Sequence, residues 1–186
     1  MKNIFITSIL ALTFMACAQS PKQAETTIAA EAIATPVAPT KAQAVLKAAN
    51  GSKVKGIIHF SEDGGKMKIE TMVEGLKPGP HGFHLHETGD CSKADFSSAG
   101  GHFNPAHSTH GAPGVNGHHA GDFGNLMANN KGKATTSLTV EGLTMKPGTD
   151  SIIGKAVIIH QDKDDLKSQP AGNSGPRIAC GVIEAL

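Results

Sequence analysis

Eight of the ten histidines fall between His81 and His119, in an arrangement suited to metal chemistry. His84-Leu85-His86 sets two imidazoles two residues apart. On a strand such positions share a face, so both rings can approach one ion. Gly101-His102-Phe103-Asn104-Pro105 follows, then His110-Gly111, His119-Ala120-Gly121-Asp122, and last Ile158-Ile159-His160. Imidazole nitrogen suits copper and zinc, and a carboxylate among several imidazoles suits zinc. A lone His-x-His would say little. Six histidines and an aspartate at these spacings point to a metal centre.

The remaining four histidines have plainer readings. His81 stands just before the ligand strand and reads as a hydrogen-bonded structural residue, while His59 reads as a partly exposed strand residue. His107 and His118 read as loop residues. Met67, Met72, Met127 and Met145 do not cluster as Met-x-Met and read as packing rather than ligands.

Such a centre needs a frame. Apolar residues make up 39% of the 186 and aromatics only 4%, with no Trp or Tyr, so the core must come from Val, Ile, Leu, Ala and Phe. The formal net charge of +1 leaves no nucleic-acid footprint. A coiled coil, an acidic disordered chain and a multispan membrane protein are excluded on composition. Short alternating runs at 53–60, 66–73, 134–140 and 152–159 predict strands, and Asp63-Gly64-Gly65, Lys77-Pro78-Gly79-Pro80 and Asn129-Asn130-Lys131-Gly132 predict turns. With no helical periodicity between them, these argue an antiparallel sandwich or barrel. Two stretches, 88–118 and 161–176, are too rich in polar residues, glycine and proline to be strands. Loops of that length in one domain are usually functional.

Lys2 precedes an apolar run from Ile4 to Ala16, shorter than the roughly 20 residues a membrane span needs. A basic start, a short apolar stretch and small residues describe an export signal over 1–17. Phe14-Met15-Ala16-Cys17 resembles the lipobox of a bacterial lipoprotein, with Phe14 where leucine is usual, which implies lipidation of Cys17. Ala16-Cys17-Ala18 also fits ordinary cleavage that would leave a soluble chain starting at Gln19; the residues leave both open. Residues 18–42 read as a flexible Ala/Pro/Thr-rich tether and 43–186 as the folded domain. Cys91 and Cys180 lie in that domain, and an exported pair is expected to be bridged, with two free thiols as the alternative.

Gly82-Phe83-His84-Leu85-His86-Glu87, Gly89-Asp90-Cys91, Gly101-His102-Phe103-Asn104-Pro105, His119-Ala120-Gly121-Asp122-Phe123-Gly124-Asn125, Gly172-Asn173-Ser174-Gly175 and Arg177-Ile178-Ala179-Cys180-Gly181-Val182-Ile183 together resemble the copper/zinc superoxide dismutases, specifically their bacterial periplasmic branch. The resemblance covers essentially all of 43–186. It implies an all-β fold, an antiparallel Greek-key β-sandwich or flattened barrel with two long functional loops. It makes His84, His86, His102 and His160 copper ligands and His102, His110, His119 and Asp122 zinc ligands, with His102 bridging as imidazolate. Asp164 matches the aspartate that hydrogen-bonds one ligand of each metal, Arg177 the arginine that guides superoxide, and Cys91–Cys180 the disulfide within the subunit.

The implied activity is dismutation of superoxide to oxygen and peroxide at copper alternating between Cu(II) and Cu(I), with one copper and one zinc per subunit. Arg177 and His102 are then the catalytic pair. The implied setting is the periplasm, with membrane contact only through Cys17, no nucleic acid partner, and a homodimer as one of the states found among relatives. Loss of residues 1–16 removes Lys2 alone and leaves 16 basic against 16 acidic residues, so steering of an anion falls to local charge at Arg177, with Lys163 or Lys167 as candidates. Two other readings remain: a copper/zinc storage or delivery protein, which a missing Arg177 or His102 would favour, and a structural sandwich with zinc alone, which an incomplete copper set would favour.

Overall fold

In Lys66–Glu74 polar and apolar residues largely alternate, and the chain there forms a strand that buries Met67, Ile69, Val73 and the hydroxyl-bearing Thr71 while Lys66, Lys68, Glu70 and Met72 face outward. This computed structural model describes residues 38–49 and 51–186. Cys17, the expected export segment and the expected tether up to residue 37 lie outside the described residues. Eight strands follow in order: β1 Lys41–Ala48, β2 Lys55–Asp63, β3 Lys66–Glu74, β4 Gly79–His86, β5 Asp122–Ala128, β6 Ala134–Glu141, β7 Ala156–His160 and β8 Arg177–Ala185. The one helical turn among the described residues is a 3₁₀ turn, Ser97–Ala99.

All the strand pairings are antiparallel, in the order β5-β4-β7-β8-β1-β2-β3-β6. The end strands β5 and β6 lie against each other without a ladder, so the sheet nearly closes into a flattened barrel. The β3–β4 and β6–β7 connections cross between its halves, as a Greek key requires.

Several boundaries differ from the sequence-based expectation. β2 runs Lys55–Asp63 rather than 53–60 and takes in Asp63, expected in a turn. β1 starts at Lys41, two residues inside the expected tether, because Ala42 and Ala44 are buried against β2 and β8. β4 takes in Gly79 and Pro80, expected in a turn. β7 starts at Ala156 rather than 152, because Gly154 turns the chain through φ +76°.

The core lies inside the barrel. β4 and β7 contribute Phe83, Leu85, Val157 and Ile159 to it, and Phe83 meets Phe123 at 5.2 Å between ring centroids. Their opposite face carries His84, His86, Ile158 and His160, and it is buried as well. That second burial comes from the two long connections, 87–121 and 161–176, which lie over the outside of β4 and β7. The first is fastened by a small apolar cluster of Phe96, Ala99, Ala156, Ile158 and Cys180. It is also fastened covalently, by the Cys91–Cys180 disulfide. A polar pocket roofed by loops is thereby built on the outer face of a rigid sheet. Among the described residues no helix is long and apolar enough to cross a membrane.

Candidate metal centre

β4 runs Gly82-Phe83-His84-Leu85-His86, so its alternation sends Phe83 and Leu85 inward and both histidines toward the roofed pocket. His160 ends β7, and His102 joins the site through an isolated bridge to His86. The ladders are irregular at just these places, between Gly82 and His84 against β5 and between Ile159 and His160 against β8. Bulges of this kind re-aim side chains at functional sites.

His84, His86, His102 and His160 each offer a ligand nitrogen, and these atoms all lie within 4.8 Å of one another. Each ring has one nitrogen committed elsewhere. His84 Nε2 donates to Asp164 Oδ2 at 2.8 Å, His86 Nδ1 to the Gly100 carbonyl at 3.0 Å, and His160 Nδ1 to the Gly175 carbonyl at 3.0 Å. The other nitrogens, His84 Nδ1, His86 Nε2, His102 Nε2 and His160 Nε2, are buried with no hydrogen-bond partner. A buried polar atom without a partner is costly, and four of them converging is the signature of a shared cation. Burial holds the rings of His84 and His86 well below the ordinary histidine range and His160 down at about 4; the neighbouring His102 charge acts in the same direction on all three, and the Arg177 charge on His86 and His160. At neutral pH these are neutral imidazoles with free lone pairs, a donor set that fits copper.

The second group is His102, His110, His119 and Asp122, all buried. His102 Nδ1 lies 2.8 Å, His110 Nδ1 3.0 Å and His119 Nδ1 3.3 Å from the single oxygen Asp122 Oδ1. Asp122 Oδ2 accepts from the Gly111 and His119 backbone N–H groups at 3.1 and 2.9 Å, which fixes the carboxylate. Burial would raise the Asp122 pKa, but the bonds from His102 and Gly111 and the imidazole charges outweigh it and hold the group below the usual carboxylate range. Three imidazoles and a carboxylate fit zinc. His102 belongs to both groups, through Nδ1 to this one and Nε2 to the first.

Asp164, fully buried, ties the two groups together: Oδ2 accepts from His84 and Oδ1 from His110 Nε2 at 3.0 Å. Its backbone is held by Asn125 of β5, whose Oδ1 accepts from Asp164 N–H at 2.8 Å and whose Nδ2 donates to Asp164 O at 3.0 Å. Gly172 (φ +65°) passes so close that a β-carbon there would overlap the Asp164 carboxylate and sit 2.7 Å from His110 Nε2. Arg177, half-buried at the start of β8, donates to the carbonyls of Phe96 and Gly100, each at 2.6 Å. The Gly100 carbonyl thus receives both Arg177 and His86, so the arginine and a ring of the first group share one anchor.

Every residue read from the sequence as a ligand therefore lies in one of the two groups. His81 is buried between the carbonyls of Lys77 and His160, each 2.9 Å from a ring nitrogen. His118 spans the His119 carbonyl and the Gly114 N–H, His107 is exposed, and His59 is partly exposed. Met67 and Met145 are in the core; Met72 and Met127 are exposed. Lys163 and Lys167 are exposed in the second loop. Sequence reasoning assigned no role to Asn125, although it lies in a quoted motif, and it passed over Gln169, which pairs with the backbone of His110. Gln169 sits in a polar loop with nothing in its neighbours to mark it.

The family model for copper/zinc superoxide dismutase (SODC) matches residues 54–183. Among solved structures, the crystal structure of the clock protein EA4 is similar, at 38% sequence identity over 81% of this chain and 97% of its own length, with a TM-score of 0.74.

Proposed function

The chain belongs to the copper/zinc superoxide dismutase family, and we propose that it dismutes superoxide to oxygen and hydrogen peroxide, with copper in the first group and zinc in the second. The observation that carries this reading is His102, whose two nitrogens serve two different groups. Bound there, copper would supply one-electron chemistry toward superoxide and zinc would supply a fixed, redox-inert charge.

The chain's own residues do the rest. The neutral rings of His84, His86 and His160 are held in one tautomer each by Asp164, Gly100 and Gly175, so no reorientation is needed to present their free nitrogens. His102 Nε2 can take up and release a proton while Nδ1 stays with the second group. Arg177 offers a positive charge fixed by two carbonyls, beside rings whose pKa values it already depresses, where a small anion is attracted. A storage or delivery protein would use the same nitrogens without needing that arginine. Superoxide consumption by the metal-loaded chain separates the two readings: metal binding without consumption leaves storage or delivery.

We also read the protein as exported to the periplasm and anchored through Cys17. Mass spectrometry of the mature N-terminus tests this: a diacylglyceryl cysteine at 17 supports the anchor, and a start at Gln19 rules it out. Light scattering on the purified chain distinguishes monomer from homodimer.

A further inference from the structure

The loop 161–176 reaches the second ligand group at two separate points, of which the Asp164 carboxylate is only one. The other is Gln169. Its Oε1 accepts from the His110 backbone N–H at 2.8 Å, and its Nε2 donates to the His110 backbone carbonyl at 2.9 Å. One primary amide thereby makes both backbone hydrogen bonds of a ligand residue, as a neighbouring strand would. His110 needs such a partner, because it lies in irregular chain between Ala99 and β5 with no ladder of its own. Nε2 also donates to the Lys167 carbonyl at 3.2 Å, which fixes the sense of the amide. Turning it over would set its oxygen against two carbonyls and its NH₂ against an N–H.

We infer that Gln169 is a positioning residue for the metal centre: it holds the backbone of His110 so that the ring, gripped at Nε2 by Asp164, presents Nδ1 to the second group. Both grips come from one loop, so that loop cannot lift without releasing His110 at backbone and ring together. The inference rests on reading that group as the zinc site. Gln169 is itself exposed, so its substitution removes no core contact and leaves the fold intact.

The test uses the full chain, zinc ion with a competing chromophoric chelator, and two variants, Gln169→Ala and Gln169→Glu. Glutamate has the size and shape of glutamine but turns the donating arm into an oxygen facing the His110 carbonyl. Partners of metal ligands typically contribute tenfold to a hundredfold in metal affinity. Both variants should weaken zinc binding by about that factor, and both should speed hydrogen exchange at the His110 amide in metal-free protein. Wild-type zinc affinity in Gln169→Glu would reduce the side chain to a space filler and overturn the inference; so would unchanged His110 exchange. Exchange is read without metal, so it judges the latch alone. A wild-type chain that bound no zinc would overturn the zinc reading and this inference with it.

Discussion

Asp164→Asn changes one atom in the most connected carboxylate of the site. Asp164 accepts three hydrogen bonds: from His84 Nε2 on Oδ2, and from His110 Nε2 and the Leu166 N–H on Oδ1. An asparagine has one accepting oxygen and one NH₂. If the oxygen faces His110 and Leu166, the NH₂ faces His84, whose ring must then carry its proton on Nδ1, one of the four converging atoms. If the amide is turned over, His110 must carry its proton on Nδ1 toward Asp122 instead, and the Leu166 N–H loses its acceptor. Either way one group receives a protonated nitrogen where it needs a lone pair. The expected loss is about tenfold to a hundredfold in affinity for that metal, or roughly 1.4–2.7 kcal/mol. The lost charge-assisted bond is of the same order, about 1.5–3 kcal/mol. Competition titrations with copper and with zinc measure it, and the metal that weakens reports which way the amide sits. If both affinities stayed within about threefold of wild type, the carboxylate would not be setting the tautomers and the argument would fail.

Arg177→Ala should leave both metals bound while slowing superoxide consumption about tenfold or more at low salt, with a flatter ionic-strength dependence; an unchanged rate at low salt would speak against anion guidance. Reducing Cys91–Cys180 frees a crosslink with a sequence separation of 89, which chain entropy values at roughly 4–5 kcal/mol, so calorimetry should show a clearly lower melting temperature, and zinc should be retained less well because Cys91 anchors the connection carrying His102, His110 and His119. The metal-free domain should lose stability as pH falls from about 6.5 toward 4. His160, ordinarily near 6.5, is held at about 4 when folded, so over that window the unfolded chain binds the extra proton, worth roughly 3 kcal/mol for this residue. Denaturant titrations at pH 7 and pH 4.5 check this, and equal midpoints would contradict it.

The strands legible in the sequence were those whose two faces differ. β3 was read to within a residue, whereas β7, buried on both faces, was read as a run starting at 152, four residues early. Nothing in the local pattern of residues 152–155 distinguishes a continuing strand from the Gly154 turn that ends the run. The ligand side chains were legible because few residue types bind metal and their spacing is distinctive. Of what orients them only Asp164 was legible, because much of the rest is main chain: the Gly100 and Gly175 carbonyls fix two rings, and no side chain advertises a carbonyl. Gln169 escaped for a related reason, since its partner is the backbone of His110 and any residue there would offer the same N–H and C=O.

Whether one imidazole, His102, serves two metals is tested most directly by comparing the copper- and zinc-loaded chain with its His102→Ala variant in a direct superoxide-decay assay. The loaded wild type should remove superoxide far faster than its spontaneous decay and form oxygen and peroxide in equal amounts. The variant should keep the β-sheet signature in circular dichroism and lose that acceleration. A loaded wild type that left superoxide decaying at its spontaneous rate, or a His102→Ala variant as fast as wild type, would contradict the account.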